Sequence, residues 1–191
     1  MTDIVQQLRQ QKAWIVLLLV CFLIQFLQLA EWFNFDRQLI LDGQWWRLLT
    51  AHFTHSGWWH FYLNMAGLLM VALFFSAYRS SSYWVGVIVL LSLLISLGLM
   101  LDQQLDRYVG FSGVLHGLFI IGGYYEYRRY KWSGLILLLL LAGKLLWEQL
   151  FGALPGSESM LQGQVAINAH LYGGLVGVLL CVWHLLRQAK Q

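Results

Sequence analysis

Six apolar segments, each about as long as a helix that crosses a bilayer, constrain this chain more than any other feature of its sequence. They lie at approximately residues 13–30, 58–77, 83–101, 111–127, 133–150 and 167–186. A helix needs about 20 apolar residues to cross the hydrocarbon core of a membrane. Because no water satisfies backbone hydrogen bonds there, each segment is expected to be helical. The sequence therefore predicts an all-α membrane protein, a bundle of six transmembrane helices forming a single domain over residues 1–191.

The composition favours the same class of protein and excludes others. Only 11% of the 191 residues are charged and 59% are hydrophobic, whereas a soluble domain carries roughly 25% charged residues. The net charge of +3 is small, so the composition is not that of a disordered chain, a coiled coil or a basic nucleic-acid-binding domain. The expected surroundings are a lipid bilayer, and no nucleic-acid partner is expected.

The basic residues indicate which ends of the segments face the cytoplasm. With the N-terminus inside, the cytoplasmic side contains eight of them, Arg9, Lys12, Arg79, Arg128, Arg129, Lys131, Arg187 and Lys190. The other side contains three, Arg37, Arg47 and Arg107. Lys and Arg are enriched in cytoplasmic loops of membrane proteins. Both termini are therefore predicted to be cytoplasmic.

Polar residues within membrane-spanning segments are costly and mark functional sites, and three groups of them fall in the outer half of the predicted bundle. The first lies in HSGWWHFYLN, where His60 and Asn64 are four residues apart and share one helical face. A hydrogen bond between helices would explain this pair without a function. A metal site that includes His52 and His55 is a second alternative, although neither an acidic ligand nor an HExxH pattern accompanies them.

The second group is Gly-Phe-Ser-Gly at residues 110–113, at the start of the fourth segment. Gly110 and Gly113 flank Ser112 and allow a sharp turn into a helix. A serine at a helix N-terminus lies beside free backbone N–H groups. That position suits a nucleophile whose attack creates an oxyanion, and an ordinary helix N-cap is the alternative.

The third group, at the start of the sixth segment, is His170 followed by Gly173 and Gly177. Gly113 and Gly117 have the same four-residue spacing in the fourth segment. Small residues at this spacing let two helices pack closely. Packing these two faces together would bring the histidine to the depth of the serine.

The three groups together predict a mechanism. Ser112 would be the nucleophile and His170 its general base, with no acidic residue required because packing can fix the imidazole. His60 and Asn64 would join the backbone N–H of Ser112 as hydrogen-bond donors to an oxyanion.

These residues resemble those of the rhomboid family of intramembrane serine proteases. The resemblance rests on Trp46-Arg47, HSGWWHFYLN, GFSG and AHLYGGLVG, which occur in the family's order across all six segments. It implies the same nucleophile, base and oxyanion-hole residues, and it adds His55 as a supporting residue. It also implies that Trp46 and Arg47 belong to a structured first loop at the membrane surface, that substrates enter sideways near the fifth segment, and that residues 151–166 form a cap.

One position departs from many bacterial members, which have a tyrosine stacked on the catalytic histidine where this chain has His116. The segment GFSGVLHG and the compact six-segment pattern resemble rhombosortase, a subfamily paired with GlyGly-CTERM proteins. The resemblance implies tail-anchored substrates with a C-terminal Gly-Gly motif, an apolar helix and a basic end. It implies a multi-pass protein of the bacterial inner membrane whose site opens to the periplasm, with no metal or organic cofactor.

Alternatives remain open at this stage. The chain could be a general rhomboid protease of other single-span substrates, a non-catalytic rhomboid-like binding protein, or a small metal or solute transporter. Lys144 and Glu148, four residues apart in the fifth segment, are expected to form an ion pair along one helical face. A functional hypothesis places this pair on the face where the substrate enters, in contact with a polar feature of its tail.

Overall fold

The computed structural model describes residues 2–102, 104–161 and 163–189, and this described chain is 79% helical. Lys190, assigned above to the cytoplasmic side, lies outside the described residues. The helices are α1 (Thr2–Phe26), α2 (Ala30–Phe33), α3 (Arg37–Leu41), α4 (Arg47–Thr50), α5 (Trp58–Phe75), α6 (Ser81–Leu101), α7 (Ser112–Arg129), α8 (Lys131–Phe151), α9 (Ser157–Leu161) and α10 (Ile167–Gln188). Turns of 3₁₀ helix occupy Ala51–Phe53 and Ser76–Tyr78.

Six long helices overlap the six apolar segments, and four of them are long and apolar enough to cross a membrane. These four are Trp58–Tyr78, Ser81–Leu101, Lys131–Phe151 and Ile167–Gln188. The apolar part of α1, Lys12–Phe26, is shorter. Helix α7 has 18 residues and carries charged side chains in its last turn. These lengths and compositions are those of a multi-pass membrane protein.

The first helix ends earlier than the apolar segment 13–30 suggests. The backbone N–H of Gln28 donates to Gln25 O and that of Leu29 to Ile24 O, while Gln28 has a φ of 53°. This hydrogen-bond pattern with a left-handed residue is a Schellman motif. The chain therefore leaves the helix after Phe26 and begins the first loop.

Helix α7 lies at the centre of the bundle and packs against α10, α8, α5 and α6. Its closest approach is to α10, along the two glycine faces. A Cβ added at Gly173 would lie 1.9 Å from Gly113 O, and one at Gly177 would lie 2.9 Å from Gly117 O. Because the two backbones nearly touch, the N-terminal ends of both helices are held at one depth.

The first loop is ordered around Arg47, which is 3% exposed. Its guanidinium donates to Asn34 O and Asn34 Oδ1, to Glu31 O and to Gln44 Oε1. The neighbouring Trp46 is half exposed, and its indole N–H donates to a backbone carbonyl of the same loop. Neither residue lines the cavity described below.

Two further contacts tie this loop to the segment that precedes α7. Strand β1 (Phe35–Asp36) pairs antiparallel with β2 (Arg107–Tyr108). The guanidinium of Arg37 donates to four backbone carbonyls at and after the end of α6, those of Leu99, Met100, Asp102 and Leu105. Since the last carbonyls of a helix have no partner within it, Arg37 caps α6 and holds the start of α7 in place.

Candidate active site

Ser112 and His170 meet at the N-terminal ends of the two closely packed helices. Ser112 is the first residue of α7, and His170 lies in the first turn of α10. Ser112 Oγ and His170 Nε2 are 2.8 Å apart, a hydrogen-bond distance. His170 is 6% exposed. This is the contact that a serine nucleophile and its general base require.

Glu148 occupies the other ring nitrogen of His170. Its Oε2 lies 2.9 Å from His170 Nδ1, while its Oε1 lies 2.6 Å from Lys144 Nζ. A buried carboxylate, which the sequence did not assign to this pair, therefore contacts the imidazole. The four-residue spacing in the sequence pairs Glu148 with Lys144 alone, although a carboxylate has two oxygens and can accept from both partners.

His116 covers one face of the His170 imidazole. The rings of His116 and His170 stack with centroids 4.3 Å apart and planes inclined by 20°. His116 Nδ1 is 2.7 Å from Ser112 O. Since a carbonyl oxygen only accepts, Nδ1 of His116 must carry the hydrogen.

By distance alone, His116, Glu148 and His170 could hold a metal, since their ligand atoms lie within 4.8 Å of one another. A metal bound to an imidazole lies in the ring plane, about 2.0 Å from the nitrogen. One ion cannot lie in the planes of two stacked rings, so this arrangement does not fit a shared metal. Among the described residues, His52 and His55 do not join such a group.

His60 and Asn64 face the loop that precedes Ser112. Gly110 has a φ of 124°, in the left-handed region that favours glycine. A Cβ at Gly110 would lie 2.6 Å from His60 Nε2 and 3.7 Å from Asn64 Nδ2. Glycine is therefore required both by the backbone conformation and by the two side chains that approach it.

Both side chains offer N–H groups. His60 Nδ1 lies 3.5 Å from the backbone N–H of Ser56, which donates to it, and 3.1 Å from Ser56 Oγ. With Nδ1 accepting, the neutral ring carries its hydrogen on Nε2. Asn64 Nδ2 is buried and has no hydrogen-bond partner among the described residues. Two donors without strong partners of their own thus lie beside the Gly110 backbone.

His55 lies behind the first of these donors. It is 2% exposed, and its ring meets that of His60 edge-on, with centroids 5.2 Å apart. Neither ring nitrogen of His55 has a hydrogen-bond partner among the described residues. Its observed contact with His60 is therefore one of packing.

A network that the sequence analysis missed supports Gly110 from the other side. Tyr108 Oη donates to Gly110 O at 2.5 Å and lies 3.5 Å from His52 Nδ1. His52 Nε2 is 3.0 Å from Ser96 Oγ, whose hydrogen goes to Leu48 O at 2.6 Å. His52 Nε2 must therefore donate to the serine. The sequence pattern suggested only metal binding for His52, because its partners lie on other elements.

Ser112 and His170 open into a cavity of about 520 Å³. Its walls include Ser112, His170, His60, Asn64 and the Lys144–Glu148 pair. Residues between α8 and α10, among them those at 154, 157, 165 and 166, form part of the lining. The cavity therefore has a serine hydroxyl, an imidazole and two further hydrogen-bond donors around one space.

A family model described as Rhomboid domain matches residues 42–187. This range contains Ser112, His170, Glu148, His60 and Asn64. No curated protein sequence matches the chain.

Proposed function

The chain belongs to the rhomboid family, whose members are intramembrane serine proteases acting on transmembrane substrates within the bilayer, and we propose that it is itself an active protease. Ser112 is the nucleophile and His170 the general base. The observation that carries this proposal is the 2.8 Å contact between Ser112 Oγ and His170 Nε2. A non-catalytic binding protein would have no need of that contact.

The reaction is an acyl transfer. Ser112 Oγ attacks the carbonyl carbon of the scissile peptide bond while His170 Nε2 takes the hydroxyl proton. When the tetrahedral intermediate collapses, the C–N bond breaks and His170 returns the proton to the leaving amine. Water, deprotonated by the same nitrogen, then hydrolyses the ester on Ser112 and releases the new carboxylate.

Donors beside Gly110 stabilise the oxyanion. The N–H of Ser112 is free because the first N–H groups of a helix have no acceptor within it. His60 Nε2–H and Asn64 Nδ2–H approach the same loop from α5. Loss of one such donor costs about 100- to 1,000-fold in kcat in other serine proteases.

We propose six spans, with α1 and α7 added to the four helices that are both long and apolar enough to cross a membrane, and with both termini in the cytoplasm. The distribution of basic residues supports this orientation: Arg128 and Arg129 end α7 and Lys131 begins α8, at the opposite end of α7 from Ser112. The catalytic cavity then opens to the periplasmic side of a bacterial inner membrane.

We propose that the substrates are tail-anchored proteins with a C-terminal Gly-Gly motif, as in the rhombosortase subfamily. The segment GFSGVLHG supports this assignment, because its His116 takes the stacking position on His170. His116→Tyr probes that position. If the ring supplies mainly stacking, kcat stays within about tenfold of the parent value, whereas a proton-transfer role predicts a loss of 100-fold or more.

The test is cleavage of a reporter with a Gly-Gly tail anchor, co-expressed with the parent protein or with Ser112→Ala or His170→Ala. Both substitutions are expected to abolish cleavage. Ser92→Ala, which changes a buried serine of α6 away from the cavity, is the matched control and retains it. Cleavage that persists in both site variants removes the protease assignment. Equal cleavage of a reporter whose two glycines are replaced by valine removes the Gly-Gly specificity alone.

A further inference from the structure

A buried carboxylate joins two functional elements of the bundle. Glu148 lies on α8, is 2% exposed, and uses one oxygen for Lys144 and the other for His170. From this geometry, and resting on the proposed protease function, we propose that Glu148 is a positioning residue. It keeps the unprotonated Nε2 of His170 directed toward Ser112. Lys144 holds one carboxylate oxygen of Glu148, so that the other oxygen faces His170.

The position of the hydrogen on His170 decides whether its ring can act as a base. To take a proton from Ser112, Nε2 must be unprotonated, so Nδ1 must carry the hydrogen of the neutral ring. An ionised carboxylate only accepts, and Glu148 Oε2 lies 2.9 Å from Nδ1. The carboxylate therefore selects the required tautomer and stabilises the imidazolium that forms during attack.

The charge of the carboxylate must also be balanced. An unpaired anion inside a membrane protein is costly. If Glu148 were protonated to avoid that cost, its carboxyl group could donate a hydrogen bond to His170 instead of accepting one. Lys144 Nζ, one helical turn away and 2.6 Å from Oε1, balances the charge. The ammonium has only donors, so it holds one oxygen and leaves the other for the imidazole.

This assignment differs from the hypothesis that the pair contacts a polar feature of the substrate. Both carboxylate oxygens already have partners at 2.9 Å or less. The side chain of Glu148 is 3% exposed. Glu148 therefore acts on the ring of His170, whereas Lys144, whose side chain is 29% exposed, also lines the cavity.

Glu148→Gln tests the role of the carboxylate. A glutamine offers one oxygen and one NH₂ group. Lys144 can only donate, so it holds the amide oxygen and turns the NH₂ group toward His170 Nδ1. That nitrogen must then accept, and the hydrogen moves to Nε2, facing Ser112. We expect kcat to fall about 100-fold or more while KM changes less than about threefold, since a wrong tautomer disables the base without altering substrate contacts.

The double variant Lys144→Met with Glu148→Gln provides a rescue. Without the ammonium, the amide can rotate and present its oxygen to His170 Nδ1. We expect kcat to recover about tenfold or more relative to the single variant, although one more native side chain has been removed. Glu126→Gln is the matched control; Glu126 lies near the end of α7 and accepts from Tyr78 and Ser133, and its variant keeps the parent kcat.

The measurements are kcat and KM per folded enzyme in detergent micelles, with the cleavable reporter. Glu148→Gln within about threefold of the parent kcat, alongside an inactive Ser112→Ala, overturns the positioning role and leaves the protease assignment intact. Cleavage by Ser112→Ala and His170→Ala overturns the protease assignment instead. If the single variant does not fold, the neutral double variant carries the test: a kcat as low as that of His170→Ala overturns the proposal.

Discussion

Adding one methyl group at Gly173 should separate the two helices that carry Ser112 and His170. The Cβ of an alanine would lie 1.9 Å from Gly113 O, and real Cβ contacts essentially never fall below 3.0 Å. The oxygen is part of a helical backbone and the Cβ is bonded directly to one, so neither atom can rotate away. The helices must therefore move apart by about 1.1 Å at this depth.

That movement changes the distance between Ser112 and His170. Gly113 follows Ser112, and Gly173 lies one turn after His170, so the separation lengthens the 2.8 Å distance between Ser112 Oγ and His170 Nε2 toward about 4 Å. A misplacement of about 1 Å can cost about 100-fold in rate. Overpacking of this kind also destabilises a protein by about 1–3 kcal/mol. Gly173→Ala should thus lower both kcat and the unfolding midpoint.

The assay is reporter cleavage, together with thermal unfolding of the purified protein in micelles. Gly86→Ala is the control, because a Cβ there has no neighbour within 4 Å. It should retain activity and lose no stability, since alanine favours helix over glycine by up to about 1 kcal/mol. A kcat of Gly173→Ala equal to that of the parent would refute the reasoning that the close helix contact keeps Ser112 and His170 within hydrogen-bond distance.

Three further perturbations test the surroundings of the site. Arg37→Gln removes a cationic cap from four carbonyls, and the free energy of unfolding should fall by roughly 2–3 kcal/mol in denaturant titrations. Tyr108→Phe leaves Gly110 O without its donor. The free energy of unfolding should fall by roughly 1–3 kcal/mol, and kcat should also fall. An unchanged kcat would show that this hydrogen bond does not position the loop before Ser112. Burial lowers the pKa of His52 to about 4 and that of His55 to about 3, from 6.5. The unfolded chain therefore binds more protons below pH 6.5, and stability should fall as pH decreases from 6.5 to 4, by up to about 1.4 kcal/mol per pH unit for each histidine. Thermal unfolding across that range, with His52→Gln giving a shallower slope, checks this prediction.

The features of this molecule that could be predicted from the sequence are those that local patterns encode. Apolar runs mark the long helices because a bilayer requires about 20 apolar residues in succession. The serine, the histidine and the glycine spacing lie within single segments, and the structure brings Ser112 and His170 together. The early end of α1 left no comparable signal, because a glutamine, Gln28, takes the left-handed position where glycine is usual.

The partners of buried polar groups could not be predicted in the same way. Glu148 contacts His170 across 22 residues of sequence, and His52 contacts Ser96 across 44. Such contacts depend on how each helix is rotated about its axis, which hydropathy does not specify. The four-residue spacing of Lys144 and Glu148 indicated a local pair, but it gave no sign that the second oxygen of Glu148 contacts His170.

The order in which the chain is synthesised gives the Lys144–Glu148 pair a consequence for biogenesis. Ser112 precedes His170 by 58 residues, so α7 and α8 leave the ribosome before the imidazole exists. During that interval Ser112 Oγ does not yet have its contact with His170 Nε2. The ammonium on the same helix already neutralises Glu148, which lowers the cost of placing α8 in lipid. Docking of α10 then brings His170 to both Ser112 and Glu148.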